Sequence, residues 1–152
     1  MRTLVRHWNR ATAIAGSRWP EAATLLLVRL ALAGVFWRSG RTKVVEGTWL
    51  HLSDATRYLF ATEYSGVPLP SDLAAHLSLL GETFLPILLV LGLATRLSAL
   101  GLLGMTMVIQ VFVYPDAWWP VHSLWAALAL VLVVRGSGAF ALDPLLARGL
   151  AR

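Results

Sequence analysis

The sequence predicts an all-α integral membrane protein, a four-helix bundle with a short interfacial helix between its first and second spans. Three observations lead there. The chain is 57% hydrophobic and 14% charged over 152 residues, a surplus of apolar side chains that a soluble domain of this size cannot bury. Four apolar stretches each reach the roughly 17 to 25 residues that a bilayer crossing needs. The basic residues gather at the ends of those stretches.

The spans fall near residues 22–41, 73–94, 97–115 and 119–137, within a single membrane domain covering residues 1–152. No linker, low-complexity tract or internal repeat divides them. The first span follows basic residues and contains Ala31-Leu32-Ala33, which imitates a signal-peptide cleavage site, but Arg29 inside the apolar run argues for an uncleaved helix.

Between spans one and two, residues 47–62 are too polar to cross the membrane. Trp49, Leu52, Leu59 and Phe60 fall near one helical face that His51, Asp54 and Arg57 avoid, so an amphipathic helix lying on the outer surface is expected. It runs into Gly66-Val67-Pro68-Leu69-Pro70, after which Ser71 is placed to cap the second span. Trp118 and Trp119 mark the same outer interface.

Orientation follows from the basic residues. Arg2, Arg6, Arg10, Arg18, Arg96, Arg135, Arg148 and Arg152 lie on the side of both termini, eight against the four of Arg38, Arg41, Lys43 and Arg57. Both termini are therefore expected in the cytoplasm, with the chain in a bacterial inner membrane. The same distribution makes the net charge of +5 a matter of topology and excludes nucleic acid as a partner. With no cysteine, the chain has no disulfide, thiolate-bound metal or dithiol couple of its own.

Arg29 and Glu82 sit well inside spans, where each costs about 2.5–3.5 kcal/mol on insertion scales. At 1.5 Å per residue Arg29 lies about 10 Å from the cytoplasmic edge and Glu82 about 13 Å from the outer edge. A register-fixing Arg29–Glu82 ion pair is the expected arrangement. Lys43, on the same stripe of the first span as Arg29, is the second candidate partner for Glu82. Arg38 and Arg41 are expected to snorkel to headgroups. Pro86 removes the N–H that would bond the Glu82 carbonyl, which should kink the helix and leave a polar pocket beside the carboxylate.

His76 and His122, each one turn into a span near the outer interface, could face one another across that pocket and, with Glu82, hold a metal or cofactor. His76 and Glu82 are about 120° apart around their helix, however, and the pair lacks the spacing of a metal motif, so no metal is assigned. Gln110 needs a hydrogen-bond partner and could reach the same pocket. Gly101 and Gly104 are expected to let helices approach closely, and Met105 and Met107 to fill the core. No nucleophile with its base, paired-carboxylate site or phosphate loop is present, so catalysis by the chain alone is not expected.

Several runs together resemble the DoxX family. They are Leu27-Val28-Arg29-Leu30-Ala31-Leu32-Ala33-Gly34 with Gly40 and Lys43, then Glu82 followed by Leu88 through Arg96, and finally Gly136-Ser137-Gly138 leading to Leu142-Asp143. Ala139 and Ala141 depart from the family's usual basic residue and serine. Asp143 before Pro144 should open a short cytoplasmic helix, the carboxylate capping it. The family includes relatives of the small DoxD subunit of thiosulfate:quinone oxidoreductase. The resemblance implies a membrane subunit of an electron-transfer or oxidative-stress system, exchanging electrons with the quinone pool through an oxidoreductase partner.

Three functions follow as expectations. In a quinone-linked subunit, Glu82, His76 or His122 would hydrogen-bond the quinone, with Trp118, Trp119 and Phe84 around the ring. In a binding or transport module, an outer-side polar pocket would take a metal, haem or small hydrophobic ligand, the candidate ligand-binding residues being Arg29, Lys43, His76, Glu82, Gln110, Trp118, Trp119 and His122. In an assembly scaffold, the buried charges would only order the bundle, and a homo-oligomer or stable partner would be its signature.

Overall fold

The computed structural model describes residues 16–150 together with residues 1, 5–7, 9 and 12–13. Arg2, Arg10 and Arg152, which enter the charge count above, lie outside the described residues. Helix α1 is Arg18–Thr42, α2 Asp54–Thr62, α3 Ser71–Leu91, α4 Thr95–Phe112, α5 Ser123–Arg135 and α6 Asp143–Leu150. A 3-10 turn, Pro115–Ala117, and a π-helical turn, Trp118–His122, lead into α5. Counting those turns with α5, four helical segments among the described residues are long and apolar enough to span a membrane: Arg18–Thr42, Ser71–Leu91, Thr95–Phe112 and Pro115–Arg135. The chain is an all-α membrane bundle.

Local chemistry sets the helix limits. Gly92, at φ 66°, ends α3 with bonds from its own N–H to the Leu89 carbonyl and from Leu93 N–H to the Leu88 carbonyl, a left-handed stop that closes the helix before the expected residue 94. Pro70 takes the cap position of α3, so Ser71 is its first residue and caps nothing. Pro120 cannot donate a backbone N–H, and the entry to the last span widens into the π-helical turn in which Ser123 N–H reaches the Trp118 carbonyl.

The segment before α2 departs from the expected helix over 47–62. Only Asp54–Thr62 is helical, because Ser53 accepts from Thr56 N–H at 3.2 Å and starts the helix there. Upstream the chain doubles back through Gly47 at φ 78°, with Val45 N–H on the His51 carbonyl and Ser53 N–H on the Lys43 carbonyl. Leu52 and Phe60 are buried, whereas Trp49 is turned against Trp37 of α1. Apolar spacing alone missed the reversal because a helix and a folded-back turn can present the same residues to one surface.

Helix α1 packs on α3 and α5, and α4 lies between α3 and α5 on the other side. The main core joins Leu25, Leu32 and Phe36 of α1 to Leu89, Leu102 and Leu132. A second cluster seats Leu52 and Phe60 on Ala74, Ala75 and Leu79 of α3. In lipid, close contact drives helix association more than water exclusion does. A Cβ on Gly101 would stand 2.9 Å from Leu85, and one on Gly81 2.7 Å from the Met105 sulfur, while Gly104 faces open space. Met107 is exposed and does not fill the core. Leu97 and Val134, 72% and 69% exposed, are side chains that hydrocarbon accommodates without penalty.

Candidate functional site

Glu82 pairs with Lys43. Its Oε2 lies 2.7 Å from Lys43 Nζ, and both side chains are almost wholly buried. Lys43 Nζ also donates to Ser39 Oγ at 3.0 Å, and Ser78 Oγ donates to Glu82 Oε1 at 3.2 Å. Each serine stands four residues before the charged residue it serves, one helical turn along the same face. The pair thus has its own hydrogen-bonding shell, which a buried ion pair requires.

Gly40 makes the approach possible. A Cβ there would come within 3.0 Å of both Cβ and the carbonyl oxygen of Glu82. That carbonyl is the one Pro86 deprives of its helical N–H partner, and α1 closes over it at Gly40. The polar spot expected beside Glu82 is therefore covered by backbone.

Arg29 does not reach Glu82. It is fully buried in the other half of the bundle, fourteen positions and about 21 Å along α1 from Lys43. There its Nη2 donates to the Phe140 carbonyl. The tail after α5 folds back over the bundle: Leu142 N–H bonds the Leu91 carbonyl and Asp143 N–H the Gly92 carbonyl. The Asp143 carboxylate accepts from Ala94 N–H at 2.7 Å and Thr95 N–H at 3.0 Å. It therefore caps α4, not the helix that Asp143 itself begins. Burial pushes the Asp143 carboxyl up, but hydrogen bonds from Thr95, Ala94 and Ser137 more than offset this and hold it below the usual carboxylate range.

Arg41 also differs from expectation. It lies over the Trp37 ring at 4.8 Å and donates to Thr83 Oγ1 at 2.6 Å and to the Trp49 carbonyl at 3.0 Å. It is thus fastened to the bundle beside Glu82 and does not snorkel, whereas Arg38 is exposed.

Gln110 and His122 are brought together. Gln110 Nε2 donates to the Pro115 carbonyl at 2.6 Å, so its Oε1 accepts from His122 Nδ1 at 2.7 Å. The amide orientation assigns the His122 proton to Nδ1. His122 is buried against Trp125. His76 is instead half exposed, with Nδ1 bonded to the Asp72 carbonyl at 2.8 Å. Among the described residues no group of three or more His, Asp or Glu could hold a metal ion. Trp118 and Trp119 pack on each other, and Trp119 is 84% exposed.

A cavity of about 180 Å³ opens between α2, α3 and α4, with Phe60, Tyr64, Leu77, Ser78, Met105 and Ile109 in its wall. Phe60 and Tyr64 stack at 4.5 Å. Burial, and then the nearby Glu82 charge, raise the Tyr64 hydroxyl above its ordinary range. Ser78 joins this apolar space to the ion pair. His76, Phe84, Trp118, Trp119 and His122 lie outside its wall. Sequence reasoning missed Ser78 and Ser39, although their four-residue spacing from Glu82 and Lys43 was a usable signal. Tyr64 carried none, since its approach depends on how the linker folds.

No solved structure matches this chain. A Haemophilus influenzae protein described as uncharacterized is similar to it, at 28% identity over 142 residues, covering 83% of this chain and 85% of that protein. The DoxX family matches residues 24–115, a stretch that includes Arg29, Gly40, Lys43, Glu82 and the Ser78 side of the cavity. That match takes in more than half of the sequence, and the chain belongs to the DoxX family.

Proposed function

We propose that this DoxX-family protein is a multi-pass subunit of a quinone-linked redox system in a bacterial inner membrane, with both termini cytoplasmic and a partner subunit supplying electrons. The observation that carries the reading is the cavity between α2, α3 and α4, whose apolar wall is interrupted by Ser78 hydrogen-bonded to Glu82. A quinone headgroup is a flat ring with polar oxygens on an isoprenoid tail. The Phe60 and Tyr64 rings and Met105 suit its faces, Ser78 Oγ, its own proton given to Glu82, accepts from a hydroxyl of the reduced quinol form, and the surrounding hydrocarbon suits the tail. Bound there, the quinone supplies the electron carrier that a chain without cysteine lacks.

The residues' own tasks are binding and orientation. Ser78 has its hydroxyl fixed by Glu82, and Glu82 is fixed by Lys43, so the polar contact is preorganised. Purified protein in mild detergent should gain thermal stability on adding a short-chain ubiquinone analogue or menadione, each reduced to its quinol. Met105→Trp, which fills the cavity, should abolish that gain while keeping the helical circular dichroism. A wild-type protein that copurifies with no quinone and is not stabilised by either probe overturns the proposal.

A further inference from the structure

A second site lies at the opposite end of the bundle. We propose that the cleft between the start of α4 and the end of α5 binds the phosphodiester headgroup of an anionic phospholipid, held by Arg96 and Arg135 beside the Gly136–Gly138 loop. The cleft has a volume of about 450 Å³, and its wall includes Arg96, Leu97, Arg135, Gly136, Gly138 and Asp143.

Position gives the first argument. Arg96 is the second residue of one span and Arg135 the last residue of another, so both guanidinium groups stand where hydrocarbon gives way to headgroups. Leu97, 72% exposed, continues the cleft toward the hydrocarbon. A ligand with a charged head and acyl chains matches that gradient, whereas a soluble anion uses only its upper part.

Donor capacity gives the second. Arg96 donates Nη2 to the Val134 carbonyl at 3.3 Å, and Arg135 donates to Glu21. Each contact uses part of a guanidinium that carries five N–H donors. The bond to Val134 also anchors Arg96 at the cleft. Gly136, at φ 80°, turns the chain away after α5, and a Cβ there would meet the Arg96 Nε at 3.3 Å. Leaving that space empty keeps the guanidinium face accessible.

The carboxylates nearby do not cancel the field. Asp143 directs its oxygens to the Ala94 and Thr95 N–H groups, so its charge meets the positive end of the α4 dipole. Glu21 competes for Arg135 alone, through a pair whose side chains are 58% and 38% exposed, and such surface pairs are weak. Basic recesses between spans at a membrane surface are a recurring headgroup-binding arrangement.

The test is native mass spectrometry of the full-length protein from nanodiscs containing equal phosphatidylglycerol and phosphatidylcholine. The wild type should retain phosphatidylglycerol several-fold over phosphatidylcholine. R96Q/R135Q should lose the preference, and R135Q alone, which alters an exposed side chain and leaves the fold intact, should lower it. E21Q frees Arg135 and should raise it. Equal retention of the two lipids by the wild type, or an unchanged preference in R96Q/R135Q, overturns the proposal. Displacement of the lipid by millimolar glycerol phosphate would assign the site to a soluble phosphate ester and overturn the lipid assignment.

Discussion

Glu82 of α3 accepts a 2.7 Å hydrogen bond from Lys43, the residue that follows α1 thirty-nine positions earlier in the chain. The contact ties the first span to the second at the point where α1 turns into the linker. It also fixes the carboxylate whose other oxygen takes the Ser78 hydroxyl.

Breaking the pair from either side should destabilise the protein, since the remaining charge stays buried without its partner. Lys43→Met and Glu82→Met should each cost about 3–5 kcal/mol. Lys43→Met/Glu82→Met should recover much of that loss. Thermal unfolding in detergent of the two single variants and the double variant measures the coupling, and strictly additive losses would show that the two groups do not act as a pair.

Glycines of different surroundings should respond differently to alanine. At Gly92 a Cβ would come 1.9 Å from Arg29 Nη1 and 2.4 Å from Ala141 Cβ, at a backbone φ of 66°, so Gly92→Ala should cost about 2–4 kcal/mol from crowding and left-handed strain together. Gly104 has nothing within 4 Å, and Gly104→Ala should stay within about 1 kcal/mol of the wild type. Folded yield and melting temperature distinguish the two.

Removing the Asp143 carboxylate should weaken the α4 cap by about 0.5–2 kcal/mol near pH 7. The carboxyl's folded value lies below its unfolded one. Its contribution is therefore present above the unfolded pKa of about 3.9 and lost as the pH falls through the folded value. The stability gap between wild type and Asp143→Ala should close as the pH is lowered from 7 through that window. A gap that persists undiminished below it would assign the effect to something other than the ionised cap.

Arg29 should govern the tail. A charged donor to a carbonyl contributes about 1.5–3 kcal/mol, so Arg29→Leu should raise local opening of residues 136–143 about ten- to a hundredfold. Hydrogen exchange at Leu142 and Asp143, whose N–H groups bond the Leu91 and Gly92 carbonyls, reads this directly. Exchange rates unchanged from wild type would show that the tail is held without the arginine.

Amino-acid order alone was enough to identify the solvent of this chain, its four spans and the residues that hydrocarbon does not tolerate. Those properties are local: twenty consecutive apolar residues partition into lipid whatever their neighbours do, and a buried Glu82 or Arg29 demands compensation wherever it sits. Which group supplies the compensation is a long-range question. Lys43 serves Glu82 because Gly40 lets α1 close on α3, and a backbone carbonyl, Phe140, serves Arg29 because the tail returns over Gly92. A carbonyl is present at every residue and carries no mark in the sequence, and the Asp143 carboxylate could as well have capped its own helix. Only the packed bundle, by setting which ends of which helices meet, selected the Glu82–Lys43 pair, the Arg29–Phe140 bond and the α4 cap from the many that the residue types permit.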